Sequence, residues 1–240
     1  MLEIRDADAA VRYIESRGIL LFLPCGVPGF SLYENMEPEL FETDEKSLNP
    51  WYWRFEFAYV DDLFYGQFFD GRLGFVRRDL FPAFAALRRK GRTPEELLES
   101  GEISEDAKTF YRALPHMGEW TLAEAMTKVP PLEIRLETIA KELQTKSLLF
   151  TSGFRYKRKK TGEEYGWPAS LYARPDDEFD EPLEDLFPSQ EEALSILRTA
   201  TGWETLDDAN RRRLDELLLG KEKKRKPRTS SSGTGKGKKR

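Results

Sequence analysis

An α+β fold is predicted by three features of this 240-residue sequence. Apolar residues recur at helical spacing in 6–17 and 104–145, an Asp-Gly pair separates two apolar runs at 63–76, and a second strand pair flanks a cationic tip at 148–173. Strands and helices occur in separate runs, as in α+β proteins. The chain is 39% hydrophobic and 12% aromatic, enough apolar surface for one large core or two small ones.

The elements follow in order. "DADAAVRYIESR", residues 6–17, opens on an Asp cap, places Ala10, Val11 and Ile14 on one face, and stops at Gly18. "ILLFLP" reads as a buried strand or short connector, and 26–50 as an irregular loop with one helical turn. In "WYWRFEFAY" the odd positions Trp51, Trp53, Phe55, Phe57 and Tyr59 have a period of two. That predicts a strand with one aromatic face, a helix being the alternative. Asp70-Gly71 predicts a type I′ hairpin pairing 63–69 with 72–76, and "RRDLFPAFAALRRKG" a helix facing inward through Leu80, Phe84 and Leu87. Short helices follow from Thr93, Ser104 and Thr121, the last with Leu122, Ala125 and Met126 inward. After Pro130-Pro131, "LEIRLETIAKELQTK" aligns Leu132, Leu136, Ile139 and Leu143. Three helices and a basic hairpin are the order of a winged helix-turn-helix.

The expected organisation is an N-terminal module of helices and a β-hairpin with an aromatic core (1–91), a winged-helix module (101–175), an acidic linker with two C-terminal helices (176–220), and a disordered Lys-rich tail (221–240). The tail carries a net +9, so the body must carry −14 to reach the overall −5. An acidic body excludes phosphate binding over the whole surface; any nucleic-acid site must be a patch. The tail itself has the composition of a nonspecific nucleic-acid arm. With one cysteine, Cys25, and one histidine, His116, no disulfide or Cys/His metal site is expected, and no cofactor. The longest apolar run is broken by Pro24 and Pro28 and falls short of the roughly 20 residues of a membrane span. A cytoplasmic protein is expected, associated with the nucleoid if it binds DNA.

The candidate nucleic-acid patch has two parts. Arg155, Lys157, Arg158, Lys159 and Lys160 put five cations into six residues of the hairpin tip, which in a wing would contact phosphates and otherwise form a solvated turn. Arg135, Lys141, Gln144 and Lys146 lie on the helix before it, with Thr138 and Thr145 beside them, where a recognition helix would present base-reading side chains. The aromatic run 51–59 is either core or a surface that stacks a base. Glu34, Asp61 and Asp62 are the carboxylates nearest possible cavities, at no defined catalytic spacing. No residue is assigned as catalytic.

The succession "RGILLFLP", "WYWRFEF", "FYGQFF…RLGFV", "RDLFPAFAAL", "ISEDAKTFYRAL…WTLAEAM…RLETIAKELQTKSLLFTSG…YGWPASLYA" resembles the AlkZ-related proteins over about residues 6–180. These are bacterial relatives of the YcaQ-like winged-helix DNA glycosylases that unhook interstrand crosslinks. The resemblance implies a winged helix and binding to double-stranded DNA. Catalytic members carry Gln-x-Gln or Gln-x-Asp in the connector after an early helix; here the equivalent is Leu20-Leu21-Phe22-Leu23. Aliphatic side chains neither position water nor stabilise an oxocarbenium-like sugar. The expectation is therefore a non-catalytic DNA-binding protein. An active glycosylase using other residues and a winged-helix protein-interaction module are the alternatives.

Overall fold

A computed structural model describes residues 4–220, and the Lys-rich segment expected to be disordered lies outside them. Helix α1 (Ala7–Arg17) starts where the Asp6 carboxylate accepts from the Ala9 N–H at 2.7 Å and ends at Gly18, whose φ of 70° few other residues adopt. Strand β1 (Ile19–Leu21) then pairs antiparallel with β3 (Arg72–Arg77), which pairs with β2 (Leu63–Phe69). Asp70 and Gly71 both have positive φ, 54° and 84°, as a type I′ turn requires.

Both faces of this sheet are covered. Ile19, Leu21, Phe64 and Val76 pack with α3 (Phe81–Arg89), while Leu20, Phe22, Leu63, Tyr65 and Phe75 pack with α1 and α2 (Pro50–Phe57). That is why "ILLF" reads as an unbroken apolar run rather than an alternation. The outer side of α3 is covered in turn by α8 (Gln190–Thr201) and α9 (Asp208–Leu219), which join the same apolar cluster. Helix α3 is buried almost all round, including Arg88 and Arg89, not on one face only. Arg89 reaches both Asp176 carboxylate oxygens at 2.7 Å and the Ser147 carbonyl at 2.6 Å. Burial of a charge is tolerated only with such partners.

Residues 51–59 are not a strand. Asn49 caps α2 by accepting from the Trp51 N–H at 2.9 Å, and Pro50 occupies the first helical position. An Asn-Pro pair of this kind is a helix-start signal that outweighs the period of two. Trp53, Phe55 and Phe57 are buried, Trp51 is half-buried, and Tyr59 beyond the helix is 60% exposed.

Helix α4 (Pro94–Glu99) begins with a Thr93/Glu96 capping box, and α5 (Glu105–Ala113) with Ser104. Strand β4 (Trp120–Thr121) leads into α6 (Leu122–Lys128), where Ala125 is buried but Met126 is 71% exposed, contrary to its expected inward position. Helix α7 (Leu136–Thr145) starts later than its apolar spacing suggests. The Asp106 carboxylate accepts from the N–H groups of Glu133 and Ile134 at 2.8 and 2.7 Å and holds them outside the helix. Strands β5 (Phe150–Arg158) and β6 (Glu164–Ala173) form the second hairpin, and β4 adds to β6.

Candidate nucleic-acid interface

The β5–β6 hairpin is buried at its base and fully exposed only from Lys157 outward. Phe150 and Ala173 sit in the core shared with α3, whereas residues 157–167 are exposed throughout. Between base and tip the hairpin leans on α2. The Tyr59 hydroxyl donates to the Phe154 carbonyl at 2.7 Å and accepts from the Phe154 N–H at 2.9 Å. A Cβ on Gly153 would lie 2.9 Å from the Tyr59 ring, so this approach requires glycine.

The two faces of the hairpin differ in chemistry. Toward α2 it presents rings: Phe55 meets Phe154, Tyr156 and Trp167 edge-on at 4.8, 6.2 and 5.6 Å, and Trp167 stacks on Tyr52 at 5.2 Å. The Arg54 guanidinium lies 5.1 to 5.6 Å from the rings of Trp51, Phe55 and Trp167, within cation–π range. A cleft of about 430 Å³ opens here, lined by Lys46, Ser47, Tyr52, Phe55, Glu56, Tyr59, Phe154 and Tyr156. Toward α6 the hairpin presents charge. Arg155 pairs with Glu124 at 2.5 Å and Glu119 at 3.7 Å. Hydrogen bonds from the Thr121 backbone, then from its hydroxyl and Arg155, hold the Glu124 carboxyl below its ordinary range.

The nine candidate residues meet different fates. Lys157 and Lys160 are exposed, with no acidic group within 4 Å among the described residues. Arg158 pairs with Glu164 at 3.1 Å and Lys159 with Glu163 at 3.0 Å. Exposed pairs of this type are worth about 0–1 kcal/mol, so either cation can exchange its carboxylate for a phosphate. Arg135 is exposed at the start of α7. Lys141 is exposed too, but its stem lies over the first hairpin's turn, where a Cβ on Gly71 would come 1.8 Å from Lys141 Cε. Lys146 donates to Glu102 at 2.7 Å. The Glu102 carboxyl is pulled down to about 2, chiefly by that hydrogen bond and also by Arg92.

Gln144 cannot read a base edge from where it stands. It is 2% exposed, and its Oε1 accepts from the Gln67 N–H at 2.9 Å. The pairing of β2 with β3 is irregular between Gly66 and Phe69, which frees that N–H, and Gly66 leaves room for the carboxamide. Thr145 faces the same strand, 3.4 Å from the Gln67 carbonyl. The second half of α7 is therefore docked on the first sheet. Helical periodicity marks a buried face only for apolar residues, so a polar side chain spent on a strand bulge leaves no such signal.

The aromatic cleft was not legible in the sequence either. The rings that line it, Tyr52, Phe55, Tyr59, Phe154 and Tyr156, lie up to 104 positions apart in the chain, and an alternation over 51–59 groups Trp51, Trp53 and Phe57 with two of them instead. Glu34 accepts from the Ser31 hydroxyl at 2.6 Å, and neither it nor Asp61 or Asp62 lines the cleft. A smaller cleft of about 200 Å³ is lined in part by Glu119, Ser152, Asp177 and Glu178, where burial pushes the Glu178 carboxyl up. Among the described residues, no group of three His, Cys, Asp or Glu could hold a metal ion, and no helix is long and apolar enough to cross a membrane.

Fold and surface together define an α+β protein that presents an exposed hairpin, cationic at its tip and aromatic on one face. The family described as AlkZ related matches residues 4–218, and the chain belongs to it. Membership relates it to the DNA-repair glycosylases of the AlkZ kind. No curated protein and no solved structure matches the chain.

Proposed function

We propose that this protein binds double-stranded DNA without excising bases, residues 101–175 serving as a winged-helix module whose wing is the β5–β6 hairpin. The observation that carries this is the tip itself: Lys157, Arg158, Lys159 and Lys160 stand exposed at the end of a hairpin that follows α5, α6 and α7. Phosphate contacts from such a tip position a protein without specifying sequence. The docking of Gln144 and Thr145 on β2 favours backbone contact over base reading by α7. Lack of base excision is supported by the connector, where Leu20, Leu21 and Phe22 are fully buried and apolar.

The test is a salt series with unrelated duplexes, comparing the full chain with a Lys157, Arg158, Lys159 and Lys160 to Ala variant. Each lost phosphate contact reduces the slope of log K against log salt by about 0.9, so two to four contacts lower it by roughly 2 to 4. Residues 221–240 are present in both proteins and cancel in the difference. Equal slopes would overturn the wing. Release of bases from alkylated or crosslinked DNA would overturn the non-catalytic assignment.

A further inference from the structure

We propose that the cleft between α2 and the outer half of the β5–β6 hairpin binds an unpaired nucleobase, so that a duplex carrying one is preferred to a fully paired duplex. The inference rests on the DNA-binding function proposed above and names the part of the nucleic acid this face takes.

Three observations carry it. The first is shape: about 430 Å³ lies within the roughly 300–1,000 Å³ of small-ligand sites. The walls are the rings of Tyr52, Phe55, Tyr59 and Tyr156, and a ring face offers every base the same stacking surface whatever its sequence. The second is rigidity. Tyr59 is 60% exposed yet fixed at its hydroxyl by both Phe154 backbone groups, and Phe55 is wedged among three hairpin rings. Rings already held in place lose little freedom when a ligand stacks on them. The third is the polar rim. Lys46, with its ammonium 5.4 Å from the Tyr52 ring, supplies donors for a phosphate. Exposed Glu56, acceptor-only when ionised, suits the N–H groups of a base edge. A paired base has both ring faces covered by its stacked neighbours, so only an unpaired base that leaves the stack can lay a face on these rings, which is why the ligand must be unpaired. The cationic tip on the same hairpin would hold the flanking backbone.

The experiment compares three duplexes of one sequence: fully paired, carrying a single-base bulge, and carrying the same bulge with an abasic sugar. The two bulged duplexes have equal backbone charge, so their difference isolates the base from every phosphate contact, including any made by residues 221–240. The expected result is binding at least about fivefold tighter to the bulge with its base than to the abasic bulge, in keeping with stacking on aromatic side chains. The gain should vanish in Tyr156→Ala and survive in Tyr156→Phe, which keeps the ring. A 2-aminopurine placed in the bulge should be quenched by the unmodified protein, a readout independent of any variant's folding. Binding of the paired duplex with no gain and no quenching would overturn the cleft and leave the wing standing. Failure to bind any of the three at low salt would overturn both.

Discussion

Two antiparallel hairpins among the described residues, one with strands of 7 and 6 residues and one with strands of 9 and 10, end in different environments. In β2–β3 all of β2 but Gln67 and the middle of β3, Gly74 to Val76, are buried because helices cover both faces, and at the turn only Arg72 is fully exposed, the Lys141 stem lying across Gly71. In β5–β6 burial stops halfway, and the outer strands carry Trp167 and Tyr165, 57% and 47% exposed, beside cations. Covering apolar rings stabilises a fold, whereas leaving them exposed on a rigid strand keeps them available to a ligand. The first hairpin is therefore structural, and the second is the one proposed to meet DNA.

The sharpest way to break that comparison is to remove one ring from each. Phe68→Ala, at a fully buried site against Phe81 and Phe84, should destabilise the protein by about 3–5 kcal/mol in urea unfolding. Trp167→Ala should cost only about 1 kcal/mol, the scale of its exposed aromatic pairing. Equal losses would mean the outer hairpin is as structural as the inner one. The next effect tests the seam between the two. Gln144→Met keeps the volume but strips the Gln67 N–H of its acceptor, with an expected cost of about 1–3 kcal/mol and no change in DNA affinity. Reduced affinity at unchanged stability would restore Gln144 as a base reader.

The smallest effect concerns Lys146. Because the folded Glu102 carboxyl lies near 2 instead of 4.5, its contribution is fully present above about pH 4.5 and is lost as pH falls towards 2. Glu102→Gln should therefore flatten the acid limb of a stability profile slightly and leave neutral-pH DNA binding as it was. A gain in affinity at neutral pH would show that Glu102 restrains Lys146 from DNA.

Much of this was legible in advance. Asp6, Thr93, Ser104 and Thr121 announce their helices because a cap needs only a short polar side chain and three following residues. Asp70-Gly71 announces its turn because positive φ at two successive residues restricts which side chains can stand there. The cationic tip is likewise a property of contiguous residues, visible as composition before any fold is known.

What escaped is what depends on distant partners. Residues 51–59 alternate as a strand would, but Asn49 and Pro50 start a helix, and α1, two short 3-10 helices (Tyr33–Asn35 and Pro38–Phe41) and the first sheet then bury its rings from several sides. Gln144 looks like a surface residue of a recognition helix until a bulge 77 positions earlier presents it with an unpaired N–H. The aromatic cleft joins Tyr59 to Phe154 across 95 positions. By itself, then, the sequence determined the caps, the Asp70-Gly71 turn, most helix and strand runs apart from 51–59, the short strand at Trp120–Thr121 and the start of α7, together with the family and the charge of the tip, since each rests on neighbours along the chain. Only the tertiary structure decided which polar groups are spent in the core and which rings stay exposed, because burial is a property of packing between elements that no local pattern encodes.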